Sequence, residues 1–146
     1  MSHRRTRESL IGTWKLVTAV NEDLATRATT DFLGPHPIGY MHYSRDGRVM
    51  VINVQGDRAK PSGSSPTPRE ASTLFHSMLA YGGDYTIEGN EITHHVDISW
   101  NEVWTGSKQI QTFRFEGDRV HLSTKPSPDP ASGRTCTRTM TWEKLK

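Results

Sequence analysis

Short segments in which apolar and polar residues alternate, separated by tight-turn signals, occupy most of this 146-residue chain. Alternation with a period of two residues is typical of β-strands that bury one face. The clearest pair is IGYMHYS and RVMVINVQ, which Arg45-Asp46-Gly47 connects. Asp-Gly between two alternating segments is a strong hairpin signal. The sequence therefore predicts an antiparallel hairpin over residues 38–55.

The same pattern recurs along the rest of the chain, with further turn signals at Glu88-Gly89-Asn90 and Glu116-Gly117-Asp118. Predicted strands cover residues 12–20, 38–44, 48–55, 83–89, 90–99, 108–117, 118–125 and 135–145. Many short strands with regular turns favour an all-β fold, either an antiparallel barrel or a sandwich.

One helix of appreciable length is predicted, over residues 67–81. Thr67 is a good N-cap, Pro68 suits the first helical position, and Glu70 completes a capping box. Apolar residues then recur at helical spacing until Gly82, which is expected to end the helix. They are Ala71, Leu74, Phe75, Met78 and Leu79.

The length indicates one domain over residues 1–146, in which residues 1–9 form an N-terminal extension or a short helix. The formal net charge is +2, from 18 basic and 16 acidic residues, so nucleic acid is not an expected partner. The basic residues at positions 3–7 are interpreted as a solvated terminal segment.

A single cysteine, Cys136, excludes an intrachain disulfide and fits a reducing compartment. No apolar run reaches the length of about 18 residues that a membrane-spanning helix needs, and the N-terminus has no signal-peptide core. A cytoplasmic protein without a membrane partner is therefore expected.

An ordered set of motifs extends over nearly the whole chain. A G-x-W element, Gly12-Thr13-Trp14, is followed by GYMHYSRDGRVMV, HHVD, WTGSKQIQTF, GDRVHLST and MTWEK. This set resembles the lipocalin-like domain family of small bacterial and fungal proteins, which are relatives of the calycins. The resemblance implies an up-and-down antiparallel β-barrel with a helix closing one end and an interior cavity for one small ligand.

The resemblance also implies roles for single residues. Trp14 would pack at the closed end, with a basic residue of the last strand across it, and Arg138 is the matching candidate. Family members often carry an arginine where this sequence has Gln111. Because glutamine is a neutral donor and acceptor, an anionic ligand is less expected here.

Alternation predicts which side chains line the interior. Gln111 shares a strand face with Phe113 and Phe115, so this face is expected to point inwards. Asn53 shares a face with two valines, Trp104 lies in a loop between strands, and two tyrosines flank the end of the predicted helix. The candidate ligand-binding residues are Asn53, Tyr81, Tyr85, Trp104, Gln111 and Phe113.

The adjacent residues His94 and His95 must point to opposite faces of one strand. Amphipathicity favours His94 inside, because it shares its face with apolar residues. We nevertheless predict that His95 faces the cavity with Asp97 and meets Gln111 or Tyr40 there. A carboxylate beside the imidazole would make it a general base near neutral pH.

Tyr40 and His42 share a strand face and form a second candidate pair, with the phenol as acid and the imidazole as base. The candidate catalytic residues are therefore His95, Asp97, Tyr40 and His42. Packing of structural residues explains either pair equally well.

Two functions of different classes follow from these residues. One is an enzyme that moves a proton on a small, largely apolar or aromatic molecule without a cofactor, as an isomerase, cyclase, lyase or dehydratase. The other is a carrier or sensor for such a molecule. No metal site is expected, because only His95 and Asp97 could share an ion, and a homodimer is left as an alternative to a monomer.

Overall fold

The computed structural model describes residues 3–129 and 132–146 and confirms the antiparallel barrel. Eight strands form the ring: β1 Gly12–Asp23, β3 Ile38–Tyr43, β4 Arg48–Val54, β5 Met78–Glu88, β6 Glu91–Ser99, β7 Lys108–Glu116, β8 Arg119–Thr124 and β10 Thr135–Lys144. Each strand pairs with the next in this order, and β10 pairs with β1 to close the ring. Two short strands extend it, β2 Thr29–Asp31 beside β1 and β9 Ser127–Pro128 beside β10.

The predicted hairpin of residues 38–55 is confirmed. β3 and β4 pair antiparallel from Ile38–Val54 to Tyr43–Val49. Gly47 has φ of 87°, in the left-handed region that glycine adopts without steric cost. The Asp-Gly turn therefore fixes the register that puts Met41 and Tyr43 inside the barrel.

Two α-helices lie in the described residues, α1 His3–Leu10 and α2 Pro68–His76. α2 begins as predicted, because Thr67 and Glu70 form both hydrogen bonds of the capping box. The prediction that it extends to Tyr81 is wrong: it ends at His76, and β5 begins at Met78. Residues 78–84 pair with β4 along their whole length, so ladder pairing in the barrel wall overrides the helical spacing of Met78 and Leu79.

α1 closes one end of the barrel. Leu10 is fully buried there, and its carbonyl oxygen accepts a hydrogen bond from the Trp14 indole at 2.8 Å. Trp14 is 2% exposed, as predicted for the closed end. The basic residue across it is Lys144, whose Nζ lies 4.6 Å from the centre of the indole ring.

Arg138 does not reach Trp14, contrary to the prediction. Lys144 is the direct strand partner of Trp14, whereas Arg138 is the partner of Asn21. Six residues of strand separate Arg138 from Lys144, which corresponds to roughly 20 Å along the barrel wall. Arg138 therefore belongs to the other end of the barrel, where its guanidinium lies over the Phe32 ring at 4.7 Å.

Candidate functional site

A cavity of about 250 Å³ lies inside the barrel, towards the end opposite α1. Side chains of β1, β5, β7, β8 and β10 form its wall, and β9 and three connecting segments contribute to its mouth. Its lining includes Phe32, Tyr81, Trp104, Gln111, Thr124, Asp129, Cys136, Arg138 and Met140. An aromatic and apolar wall with a few polar groups is typical of a site for a small organic molecule.

Gln111 is the most informative polar residue of this wall. Its side chain points inwards as predicted and is 6% exposed. The Oε1 atom is buried and has no hydrogen-bond partner among the described residues. Burial of an unpaired amide oxygen costs free energy. This atom is therefore a ready acceptor for a donor that enters the cavity.

Arg138 brings a positive charge to the cavity mouth. Its Nη2 lies 3.7 Å from the Asp129 carboxylate, and its Nε donates to the Asn21 side chain at 3.4 Å. The second carboxylate oxygen of Asp129 accepts a hydrogen bond from the Ser132 hydroxyl at 2.9 Å. Since Asp129 partly neutralises Arg138, the mouth is polar without being strongly cationic.

A buried row of hydrogen-bonded side chains, Tyr43, His94 and Tyr81, lies beside the cavity. His94 is 1% exposed, and its Nε2 lies 2.7 Å from the Tyr43 hydroxyl. Its Nδ1 lies 2.5 Å from the hydroxyl of Tyr81, which lines the cavity. Burial, and to a lesser extent the nearby His95, lowers the pKa of His94 to about 3. His94 is therefore uncharged near neutral pH.

The prediction that His95 faces the cavity is wrong. His94 occupies the inner face with Ile92 and Val96, as amphipathicity alone indicates. His95 lies on the outer face, where its Nε2 is 2.9 Å from the Thr86 hydroxyl. His94 can lie on the apolar inner face because its buried imidazole has hydrogen-bond partners in two tyrosines.

Asp97 also lies outside and does not pair with His95. Its carboxylate accepts from Arg48 at 2.8 Å, and Asp84 accepts from the same guanidinium at 2.6 Å. The β5–β6 register shifts between Gly82 and Gly83, so Asp97 has no cross-strand partner. Strict alternation therefore fails beyond Val96, and Ile98 is 67% exposed.

Tyr40 and His42 lie on the outer face of β3, and their predicted contact with the cavity is wrong. His42 Nδ1 is 2.8 Å from the Thr13 hydroxyl, and Tyr40 is 46% exposed. The register of the hairpin puts Met41 and Tyr43 inside instead. Both outer residues border a surface groove of about 900 Å³ that Met50, Ile52 and Ile98 also line. The homodimer that the sequence leaves as an alternative to a monomer stays a prediction.

The other predicted ligand-binding residues divide between the two ends of the barrel. Tyr81 and Trp104 line the cavity, with ring centres 5.8 Å apart. Tyr85 lies at the closed end, where Arg7 of α1 covers its ring at 5.3 Å. Phe113 packs on Phe115 rather than among the lining residues, with ring centres 5.7 Å apart.

Asn53 is fully buried next to the cavity. Its Nδ2 lies 3.6 Å from the sulfur of Met140, a lining residue, and its Oδ1 has no partner among the described residues. The amide lies over its strand partner Gly39, where a Cβ would come within 1.9 Å of Oδ1. Gly39 therefore makes room for the Asn53 side chain.

Gly39→Ala is expected to destabilise the protein by about 1–3 kcal/mol, the range for overpacking a filled site. The double variant with Asn53→Ala should recover part of this loss, because the clashing amide is removed. Urea unfolding of the two single variants and the double variant measures the coupling. Additive effects of the two substitutions would contradict the packing account.

Several residues that line the cavity were not predicted to do so, although the sequence carried a signal for them. Cys136, Arg138 and Met140 alternate on β10 with the buried Trp142 and so share its inward face. Tyr43 and His94 also lie on inward faces, but their contact joins strands 51 residues apart in sequence. Only the closed barrel brings these two side chains together.

The chain belongs to the lipocalin-like domain family, since the sequence model of that family matches residues 11–145. No curated protein matches the sequence. One similar solved structure is the crystal structure, at 2.60 Å resolution, of an uncharacterized protein from Bacteroides eggerthii DSM 20697. It is 12% identical, the alignment covers 92% of this chain and 98% of that one, and the TM-score is 0.44.

Neither α-helix in the described part of the chain has the length and apolar character needed to cross a membrane. Over the same residues, no three His, Cys, Asp or Glu side chains come together in an arrangement suited to a metal ion.

Proposed function

We propose that this protein binds a small, largely apolar organic molecule with at least one polar group in the cavity beside Gln111. The unpaired Oε1 of Gln111 carries the proposal, because a buried acceptor without a partner in an aromatic wall suits a ligand that donates to it. The cavity of about 250 Å³ lies just below the range of roughly 300–1,000 Å³ for drug-sized ligands. We therefore expect a ligand of one or two rings.

In this proposal, different lining residues contact the apolar and the polar parts of the ligand. Trp104, Tyr81 and Phe32 offer ring faces to an apolar or aromatic body. Gln111 and Arg138 supply hydrogen bonds that orient its polar groups. Since Asp129 already contacts the Arg138 guanidinium, a neutral polar ligand is a better match than a strongly anionic one.

Cys136 provides a direct test, because it lines the cavity and is the single cysteine of the chain. A panel of one-ring and two-ring aromatic compounds is screened for protection of this thiol from iodoacetamide. A compound present at ten times its Kd should slow alkylation about tenfold, since only the empty cavity reacts. Mass spectrometry of the intact protein follows the reaction.

Two controls make this test specific. Met50→Ala, in the outer groove, should leave protection unchanged, whereas Thr124→Trp should slow alkylation by itself, because it fills the cavity, and an added compound should slow it no further. Native mass spectrometry of the protein as purified adds a search for a co-purified molecule. The proposal fails if no co-purified molecule is found and no compound protects Cys136.

Cofactor-free proton transfer of the isomerase, cyclase, lyase or dehydratase type is the second candidate function. Tyr81 favours it, because this side chain lines the cavity and its hydroxyl, a weak acid, is hydrogen-bonded to His94. Burial raises the pKa of Tyr81, which keeps the proton on the phenol near neutral pH. The reaction also needs a base, and Asp129 carries the one carboxylate among the described lining residues.

A further inference from the structure

Tyr43, His94 and Tyr81 form a row of hydrogen bonds, and the acceptors available to the two hydroxyl protons determine which group donates in each bond. All three residues are buried, at 0%, 1% and 7% exposure. His94 lies between the two phenols, with Nε2 at 2.7 Å from Tyr43 and Nδ1 at 2.5 Å from Tyr81. A neutral imidazole donates from one ring nitrogen and accepts at the other. Two arrangements of the protons are therefore possible.

In the first arrangement, Nε2 carries the proton and donates to Tyr43, while Tyr81 donates to Nδ1. The Tyr43 hydroxyl then needs another acceptor. It has no hydrogen bond except that with His94 among the described residues, and the Tyr43 ring packs edge-on against the ring of Tyr85, with ring centres 4.9 Å apart. This arrangement leaves a fully buried O–H unpaired, which costs free energy.

In the second arrangement, Nδ1 carries the proton. Tyr43 donates to Nε2, and His94 donates to the Tyr81 oxygen. The O–H of Tyr81 is then the unsatisfied donor, and Tyr81 lines the cavity, where a bound molecule can accept from it. Each donor of Tyr43, His94 and Tyr81 then has an acceptor once the cavity is occupied, so this arrangement is the more stable one.

We propose that His94 acts as a positioning residue that orients the Tyr81 hydroxyl as a hydrogen-bond donor towards the cavity, so that the ligand presents an acceptor such as a carbonyl oxygen to Tyr81. This inference rests on the proposed ligand-binding function and narrows its ligand class. The hydrogen bond that the Tyr81 oxygen accepts also strengthens its O–H as a donor. Gln111 remains available for a donor group on the same molecule.

The first test reads the tautomer of His94 in the unmodified protein. Two-bond ¹H–¹⁵N correlation spectra distinguish a protonated from an unprotonated ring nitrogen. We expect His94 to have a protonated Nδ1 and an unprotonated Nε2 near neutral pH. A protonated Nε2 would overturn the proposal, whatever the cavity binds. A role of His94 in packing alone would not determine this tautomer.

The second test uses acetophenone and α-methylstyrene, two probes of nearly the same shape in which a CH₂ group replaces the carbonyl oxygen. NMR titration gives the Kd of each probe for the wild type, Tyr81→Phe and Tyr85→Phe. Tyr81→Phe should weaken acetophenone binding about fivefold to tenfold, the value of one hydrogen bond. It should leave α-methylstyrene unaffected. Tyr85→Phe, a control tyrosine on the same strand, should change neither Kd.

The outcomes separate this inference from the proposed function. Equal losses of both probes in Tyr81→Phe, or no loss of acetophenone, would overturn the assignment of Tyr81 as the donor. If neither probe binds the wild type, no co-purified molecule is found and no other compound protects Cys136, the proposed function fails. In that case the His94 tautomer still shows which groups donate in the Tyr43–His94–Tyr81 hydrogen bonds.

Discussion

Replacing Trp14 with alanine is expected to destabilise the protein by about 3–5 kcal/mol, the range for deleting a large buried aromatic side chain. The indole is 2% exposed and packs between Leu10 of α1 and the Lys144 side chain. Its removal leaves a cavity at the point where α1 closes the barrel. It also leaves the Leu10 carbonyl without the indole donor. Both the cavity and the unpaired carbonyl lower the free energy of unfolding.

Urea unfolding followed by circular dichroism measures this loss. Trp100→Ala is the matched control, since Trp100 is only half-buried and packs against the exposed helix α2. The control should lose much less stability than Trp14→Ala. A loss below about 1 kcal/mol for Trp14→Ala would show that the closed end relaxes around the missing indole.

The barrel could be predicted from the sequence because its signals are local. Alternation defines most of the strands, with the exception of the first part of β5, and the glycine turns at Gly47, Gly89 and Gly117 all have positive φ. The N-terminus of α2 was equally predictable, since its capping box is contained within four residues. Each of these features is decided by neighbours in sequence rather than by the closed ring.

The features that escaped prediction depend on distant contacts. The end of α2 depends on pairing between β4 and β5, and the residue over Trp14 depends on the register between β1 and β10. The inward direction of His94 could be predicted from its apolar neighbours on the same strand face. The hydrogen bonds that make its burial possible could not be predicted, because the partners Tyr43 and Tyr81 come from two other strands. A single sequence does not reveal which buried polar groups will meet.

The stability of the protein is expected to fall steeply with pH below 6.5 because of His94. The unfolded chain binds a proton at this residue near its ordinary pKa of 6.5, whereas burial holds the folded pKa at about 3. Between these values the unfolded state carries one more proton, so stability is complete above pH 6.5 and is lost as the pH falls towards 3. The loss is about 1.4 kcal/mol for each pH unit, or about 2–3 kcal/mol between pH 6.5 and 4.5.

Urea unfolding of the wild type and His94→Gln across this pH range isolates the effect. Glutamine keeps a donor and an acceptor for the two tyrosines but does not titrate. The variant should therefore be less stable than the wild type at pH 7, with a difference that shrinks as the pH is lowered. His95→Gln is the matched control, because this neighbour lies outside and contacts the Thr86 hydroxyl instead of the buried tyrosines. It should retain most of the wild-type slope. Equal slopes for the wild type and His94→Gln would mean that His94 already gains its proton in the folded barrel, in which case one of its tyrosine partners must reverse its hydrogen bond.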